Sequence, residues 1–154
     1  MASLGISVDG NKLDVSSRKF TYGGTIIDSG TIITRLPQVV YSALSDAIRQ
    51  SMTNYTLLED VDELLDTCYH LEGNEPFVLL EIKFHFGEES TIDVTLSNSG
   101  TIWKKRDTVN CLAFAATESY TNSNSIIGIV QQRGFNVLYD LEGGRIGFGR
   151  SCAS

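Results

Sequence analysis

The chain has 154 residues, of which 42% are hydrophobic and 20% are charged, so it can bury one core but is short for two independent domains. Its formal net charge of −7, from 12 Lys and Arg against 19 Asp and Glu, argues against a nucleic-acid-binding protein, which needs a basic surface. Fourteen Gly and only two Pro, with many β-branched and aromatic residues between turn signals, predict a single, mainly β domain over residues 1–154.

The sequence also indicates no membrane partner. No segment approaches the roughly 20 apolar residues that span a bilayer, and residues 1–5 lack the basic and apolar regions of a signal peptide. The one basic cluster, residues 104–106, is more typical of a strand end or loop than of a phosphate-binding surface. We therefore expect neither nucleic acid nor a membrane among the partners of this chain.

A bound metal is not expected either. The three cysteines, Cys68, Cys111 and Cys152, and the two histidines, His70 and His85, have no zinc-ligand spacing. An odd number of cysteines leaves two possibilities open: free thiols in a reducing compartment, or one disulfide and one cysteine whose partner lies elsewhere. Each histidine stands alone in the sequence, and we assign neither a role.

A β-hairpin is predicted at the start of the chain. Residues 5–15 alternate between apolar and polar on both sides of Asp9-Gly10-Asn11, which favours a tight turn between two strands. Residues 25–34 follow as a second β-rich run, because β-branched side chains dominate there. One acidic residue, Asp28, interrupts this apolar run.

One principal amphipathic helix is predicted over residues 37–52. Pro37 is a favoured first helical residue, and after it apolar residues recur at helical spacing. These apolar positions are Val40, Tyr41, Leu44, Ala47, Ile48 and Met52. The acidic segment 59–63 predicts a surface loop rather than a calcium site, since no Gly-centred loop accompanies it.

The second half of the chain predicts further strands. Their predicted ranges are 77–86, 91–96, 101–103 and 111–115. A turn is expected at 87–89 and a polar loop at 119–125. The chain closes with a predicted hairpin, in which residues 135–139 and 145–148 flank a Gly-Gly turn.

Asp28 is the candidate for chemistry, because a carboxylate in a β-branched run must find hydrogen-bond donors or change its protonation state. Ser29 and Thr31 supply hydroxyls beside it, and Gly30 has no side chain to block the approach of another group. Asp-Ser-Gly alone is a weak signal, since an ordinary turn can contain it. Its context strengthens it, because an apolar-apolar-Gly sequence follows about 100 residues later, at Ile126-Ile127-Gly128.

Together these motifs resemble the pepsin-like aspartic proteases, specifically the C-terminal lobe of the plant nepenthesin-like branch, which is also similar to the C-terminal region of xylanase inhibitors. The resemblance covers nearly the whole chain, in the segments 24–37, 65–69, 111–114, 126–133, 135–140 and 145–149. It implies one pepsin-like lobe, with the N-terminal lobe absent from this sequence. One departure is Ile129, where relatives usually carry a polar residue, commonly Asn, so the hydrogen bonding beside Gly128 is open to question.

The resemblance implies a role for each residue of the motif. Asp28 would be a catalytic carboxylate, and Ser29 would help to lock the two active-site loops together across the lobe interface. Gly30, Thr31 and Ile32 would border the bound peptide, and Thr31 would also donate to the outer oxygen of Asp28. Support for the loop from behind would come from Ile126, Ile127 and Gly128.

Such a protease needs two carboxylates, which share one proton when they lie within about 3 Å of each other. The ionised one takes a proton from the attacking water, and the protonated one donates to the carbonyl oxygen of the peptide. Asp93, Asp107 and Asp140 are not followed by Ser/Thr-Gly, so the chain supplies one carboxylate. The implied partners are an N-terminal lobe and a peptide or protein substrate, with no cofactor.

Three further expectations concern covalent chemistry and location. The resemblance implies a disulfide between Cys68 and Cys111, with Cys152 unpaired, and a secreted, vacuolar or other secretory or organellar location. Asn54 begins the one Asn-x-Ser/Thr sequon, and it predicts a glycosylation site if the chain enters a secretory pathway.

Two alternatives remain open. The first is a catalytically silent inhibitor or binding protein of the xylanase-inhibitor type. The intact motif at 28–31 argues against it, although catalytic residues could be missing from the other lobe. The second is a retropepsin-like homodimer, in which each copy contributes one aspartate across a two-fold axis. The helix at 37–52 and the chain length favour the two-lobed enzyme over this homodimer.

Overall fold

Strands dominate the fold, as the abundance of β-branched and aromatic residues between turns predicts. The structure is a computed structural model that describes residues 4–15, 24–71, 80–87, 92–118 and 124–151. The strands in these ranges are β1 (Leu4–Val8), β2 (Asn11–Lys12), β3 (Thr25–Ile27), β4 (Thr34–Leu36), β5 (Thr56–Leu58), β6 (Cys68–His70), β7 (Ile82–Phe86), β8 (Ile92–Thr95), β9 (Ile102–Arg106), β10 (Val109–Leu112), β11 (Phe114–Ala116), β12 (Ser125–Ile127), β13 (Phe135–Asp140) and β14 (Arg145–Arg150). The helices are α1 (Gln38–Ser51), α2 (Asn98–Thr101) and α3 (Ile129–Gln132). The predicted class, mainly β with one principal helix, is confirmed.

The first sheet contains four antiparallel strands in the order β2-β1-β7-β8. Its hairpin β1–β2 confirms the one predicted over residues 5–15, and Asp9 and Gly10 turn the chain with φ values of 49° and 80°. Side chains alternate between the two faces of the sheet. Phe84 and Phe86 are therefore buried in the core, while His85 lies on the opposite face.

The second sheet has the strand order β5-β6-β10-β9. Cys68 and Cys111 lie directly opposite each other on β6 and β10, and their sulfur atoms form a disulfide. This is the pairing that the family resemblance implied. Strands β5 and β6 were not predicted, because their sequences, Thr-Leu-Leu and Cys-Tyr-His, show no alternation of apolar and polar residues.

The third sheet positions the candidate site, and its strand order is β11-β4-β12-β3. Strands β3 and β4 follow each other in the chain, but β12 lies between them, parallel to β3 and antiparallel to β4. The predicted run 25–34 is therefore two strands joined by a loop over residues 28–33. The predicted strand 111–115 is also divided, at Ala113, because its halves β10 and β11 belong to different sheets.

Helix α1 confirms the prediction over residues 37–52 to within one residue at each end, with Pro37 at its N-cap. Val40 and Leu44 on its buried face have no exposed surface, and they join the core formed with the first and third sheets. Helices α2 and α3 were not predicted, because a single turn gives no periodic pattern. No helix within the described ranges is long and apolar enough to cross a bilayer.

The closing hairpin is confirmed as the antiparallel pair β13–β14, one residue longer than predicted at the end of β13 and two at the end of β14. Gly144 ends its turn with a φ of 60°, in the left-handed region that glycine adopts without strain. Several predictions fall partly or wholly outside the described residues, and they stay predictions there. They concern residues 77–79, 88–89, 91, 119–123 and Cys152.

Candidate active site

The loop 28–33 crosses the carboxyl end of β12. Because β12 is parallel to β3 and antiparallel to β4, a chain that leaves β3 and enters β4 must pass over the end of the strand between them. Asp28 is the first residue of this loop, and its side chain is exposed. The sheet topology thus presents one carboxylate at the surface, on a short connection between two strands of the third sheet.

The Asp28 carboxylate accepts one hydrogen bond on each oxygen. The backbone N–H of Gly30 donates to Oδ1 over 2.9 Å, and the Thr31 hydroxyl donates to Oδ2 over 2.7 Å. Both bonds favour the ionised form, so they hold the pKa of Asp28 below its usual value, the Thr31 hydroxyl contributing most and the Gly30 amide next. The result is an accessible carboxylate whose ionised form is favoured by two hydrogen bonds.

The other residues expected around Asp28 are also at the surface. A Cβ atom added to Gly30 would lie 3.1 Å from Asp28 Oδ1, which is close enough to disturb the carboxylate. Ser29 is exposed, and Ile32 is an unusually open apolar side chain, 58% exposed. The loop therefore offers both polar and apolar groups to a molecule that approaches Asp28.

The end of β12 and the residues after it bond to this loop through their backbone. Ile127 O accepts from Asp28 N over 3.0 Å, and the N–H of Ile129 donates to Thr31 O over 2.8 Å. A Cβ atom at Gly128 would lie 2.6 Å from the backbone oxygen of Ile32, so only glycine allows this approach. Ile126, two residues before Gly128, pairs with Ile26 of β3 and Arg35 of β4.

The departure at Ile129 does not remove hydrogen bonding beside Gly128. The Ile129 side chain is 38% exposed, whereas its backbone N–H makes the bond to Thr31 O. A backbone donor serves here whatever the side chain is. The substitution of an apolar residue for the usual polar one therefore changes the surface next to the loop and leaves this contact in place.

Two buried polar residues behind the loop were missed in the sequence. The Thr34 hydroxyl donates to Gln131 Oε1 over 2.6 Å and accepts from Gly128 N over 2.9 Å. Gln131 Nε2 donates to Gly100 O and Ala113 O. The sequence contained one signal, because Thr34 and Gln131 are polar residues within apolar segments, and buried polar groups need hydrogen-bond partners. The sequence does not show which groups become partners.

The other acidic residues considered belong to other elements than the loop 28–33. Asp107 is an exposed turn residue near Lys104, and Asp140 accepts from Gly143 N and the Arg145 guanidinium in the closing hairpin. Within the described ranges, no group of three or more His, Cys, Asp or Glu is placed to bind a metal.

His85 is not alone, contrary to the expectation from sequence. Its Nδ1 lies 2.6 Å from Asp93 Oδ1 and its Nε2 lies 2.8 Å from Ser7 Oγ, because the three residues share one face of the first sheet. The arrangement resembles a hydrolase triad, but Ser7 is only 2% exposed and a substrate could not reach its hydroxyl. These contacts join three strands and stabilise the sheet.

The sequon residue Asn54 is exposed in the turn that follows α1. Access to the side-chain amide, which glycosylation requires, is therefore present. Its modification stays a prediction.

Comparisons with known proteins agree on one group. The family model described as xylanase inhibitor C-terminal matches residues 3–150. Aspartyl protease family protein At5g10770 of Arabidopsis thaliana is 37% identical over 94% of this chain, which corresponds to 30% of that protein. Aspartic proteinase nepenthesin-2 of Nepenthes gracilis is 31% identical over 94% of this chain and 33% of its own length.

The same fold occurs in a solved structure. The crystal structure of edgp matches 94% of this chain and 37% of its own chain, with a TM-score of 0.77 at 22% identity. At this identity the similarity supports the fold alone. The chain thus spans about 30% of the length of the curated relatives that it matches.

Proposed function

This chain belongs to the xylanase inhibitor C-terminal family, and from this membership we propose that it is one lobe of a two-lobed aspartic endopeptidase, in which Asp28 is one of two catalytic carboxylates. The observation that carries the proposal is the exposed Asp28 carboxylate, with a backbone amide and a hydroxyl donating to its two oxygens. Relatives named as aspartyl proteases support the same class of enzyme.

In this proposal Asp28 shares one proton with an aspartate of the N-terminal lobe. The ionised carboxylate takes a proton from the attacking water, while the protonated one donates to the carbonyl oxygen of the scissile peptide. The bonds from Thr31 and Gly30 favour a negative charge on Asp28, which is the charge that the pair needs to activate the water. Gly30, Thr31 and Ile32 border the peptide, and Ser29 contacts the loop of the other lobe.

The hairpin β13–β14 supports a second lobe as partner. It forms a sheet of two strands, so within the described residues neither outer edge is paired with another strand. Leu138 and Leu141 are 70% and 90% exposed, and Leu141 lines a cavity of about 560 Å³ together with Phe86 and Phe148. Exposed apolar surface and free strand edges are typical of interfaces, and we place the N-terminal lobe here.

The test of this function is the substitution Asp28→Asn in the full-length protein. We expect kcat for peptide hydrolysis at acidic pH to fall by about 10²- to 10⁴-fold, the range that acid-base groups contribute. Asp107→Asn is the matched control, because Asp107 is exposed and lies in a different turn. Near-normal turnover by Asp28→Asn would disprove the assignment of Asp28.

A silent inhibitor is the second candidate, and the family's description as xylanase inhibitor C-terminal favours it. In that case the full-length protein would bind a xylanase and would hydrolyse no peptide. Two assays on the same preparation distinguish the two functions. One is a titration against an endo-xylanase, and the other measures peptide cleavage at acidic pH. Pepstatin-sensitive hydrolysis supports the protease, and xylanase inhibition without hydrolysis supports the inhibitor.

A further inference from the structure

We propose that Thr34 and Gln131 are positioning residues whose side chains form a buried bracket that fixes the loop 28–33 on the end of β12 and so orients Asp28. The inference rests on the proposed function, because orientation of Asp28 matters for catalysis only if Asp28 is catalytic. Neither residue contacts the carboxylate itself. Their effect is transmitted through the backbone of residues 128–130.

Gln131 is the fixed end of this bracket. Its side-chain oxygen accepts from the hydroxyl and the backbone N–H of Thr34, over 2.6 Å and 3.3 Å. Its side-chain nitrogen donates to Gly100 O over 2.8 Å and to Ala113 O over 2.7 Å. These contacts use both lone pairs and both protons of the amide, and Gln131 is only 2% exposed. A rotation of the amide would leave buried groups unpaired, which is costly.

The Thr34 hydroxyl connects the Gln131 side chain to the backbone of residues 128–130. It donates to Gln131 Oε1 and at the same time accepts from Gly128 N over 2.9 Å. Thr34 has no exposed surface, so water cannot replace a lost partner. The hydroxyl therefore fixes the direction of the Gly128 amide relative to a group on a different part of the fold.

The position of Gly128 determines where the next two backbone amides lie, and these amides bond directly to the loop. Ile129 N donates to Thr31 O over 2.8 Å, and Val130 N donates to Ile32 O over 3.2 Å. The side chain of Thr31 in turn donates to Asp28 Oδ2. A continuous path of hydrogen bonds and adjacent residues thus runs from Gln131, through Thr34 and Gly128, to the carboxylate.

Packing alone would not require polar side chains at these two positions. Apolar residues of similar volume fill a buried site without any desolvation cost for an amide or hydroxyl. A hydrogen-bonded pair instead specifies one orientation, because its bonds are directional. The geometry therefore assigns the pair to alignment of the loop, and the two roles can be separated by experiment.

The first test compares three variants of the full-length protein. Thr34→Val keeps the shape of the side chain and removes the hydroxyl, and we expect kcat to fall about 10- to 100-fold, as a displaced catalytic group predicts, with KM nearly unchanged. Thr34→Ser keeps the hydroxyl and should retain most of the turnover. Ser45→Ala is the control, because it removes the buried hydroxyl of Ser45 on α1, which contacts Thr67, and should reduce stability with no change in kcat.

The second test needs no activity. An NMR titration of the Asp28 carboxyl in the 154-residue chain reports directly on the Thr31 and Gly30 bonds that lower its pKa. In Thr34→Val these bonds loosen, and we expect the pKa of Asp28 to rise towards its usual value. Ser45→Ala should leave it unchanged.

The outcomes separate this inference from the proposed function. Near-normal turnover in Asp28→Asn would reject the catalytic assignment, whatever the bracket does. An inactive Asp28→Asn combined with normal kcat and an unshifted Asp28 pKa in Thr34→Val would reject the bracket alone. Equal losses of kcat in Thr34→Val and Ser45→Ala would also reject it, because they would indicate general destabilisation.

A measurement on the unaltered chain covers the case in which Thr34→Val does not fold. The bracket predicts that the amide protons of Gly128 and Ile129 exchange with solvent as slowly as those of the third sheet, because both are held in hydrogen bonds. Exchange of these two protons at the rate of an exposed loop would overturn the proposal.

Discussion

Asp28 obtains its hydrogen-bond donors from residues that are close in sequence. The Gly30 amide and the Thr31 hydroxyl follow it by two and three positions, so the local sequence already contains the donors. This is why Asp28 and its neighbours could be selected from sequence alone. Thr34 and Gln131 could not, because 97 positions separate them and only the pairing of β4 with β12 brings them together.

A substitution at Gly128 tests how closely the loop 28–33 and the residues after β12 must approach each other. A methyl group there would lie 2.6 Å from Ile32 O, so in Gly128→Ala the backbone must move apart, and we expect the free energy of unfolding to fall by about 1–3 kcal/mol. Urea denaturation of the 154-residue chain measures this change.

The matched control for this substitution is Gly149→Ala, since a methyl group at Gly149 would meet nothing closer than an oxygen 4.0 Å away. A change in that variant should be small. Equal stability of Gly128→Ala and the unaltered chain would show that the loop does not need this close contact.

Among the helices, length decided which could be predicted. Helix α1 has 14 residues and shows its apolar face in the sequence, so both ends were predicted to within one residue. The one-turn helices α2 and α3 have four residues each and carry no repeating pattern. The separation of β3 from β4 by β12 depends on contacts across the chain, which local patterns do not contain.

The acidic segment 59–63 is a loop, as predicted, but one of its charges is paired. Asp62 accepts from Lys105 of β9 and from the backbone N–H groups of Leu64 and Leu65. These bonds, the one from Lys105 first, lower the pKa of Asp62 to about 2. A depressed pKa stabilises the folded state above the unfolded pKa of about 4. That stabilisation disappears as the pH falls towards the folded value.

We therefore expect Asp62→Asn to lower the free energy of unfolding by about 1 kcal/mol near pH 6, since solvent screens this partly exposed pair. Near pH 2 the same substitution should have a much smaller effect, because the folded carboxylate of the unaltered chain is then about half protonated. Denaturation at several pH values measures the difference, with Asp60→Asn in the same loop as control. A pH-independent effect of Asp62→Asn would contradict this assignment.

The disulfide joins the second sheet across 43 positions of sequence. Closing a loop of this length restricts the unfolded chain, and reduction should lower the free energy of unfolding by about 4 kcal/mol. Denaturation with and without a reducing agent measures it. A chain carrying both Cys68→Ser and Cys111→Ser is the control and should not respond to the reducing agent. An equal loss of stability in the two chains would show that the reducing agent does not act through this disulfide.

For the whole molecule, the proposed active site is complete only with a second lobe. The chain spans about 30% of the length of its curated relatives, and it presents one candidate catalytic carboxylate together with the exposed apolar hairpin β13–β14. Family membership and fold class could be predicted from the sequence because the motifs extend over most of the chain. The contacts with the proposed second lobe could not be predicted, since they depend on residues outside this chain.

Peptide hydrolysis by the purified 154-residue chain, compared with that of the full-length protein, tests the central claim most directly. We predict negligible turnover by the chain between pH 3 and 7, because Asp28 alone cannot act as both base and acid. The full-length protein should be active in acid and inhibited by pepstatin, and sedimentation should show the chain as a monomer. Pepstatin-sensitive turnover by the monomeric chain would contradict the claim that Asp28 supplies half of a shared active site.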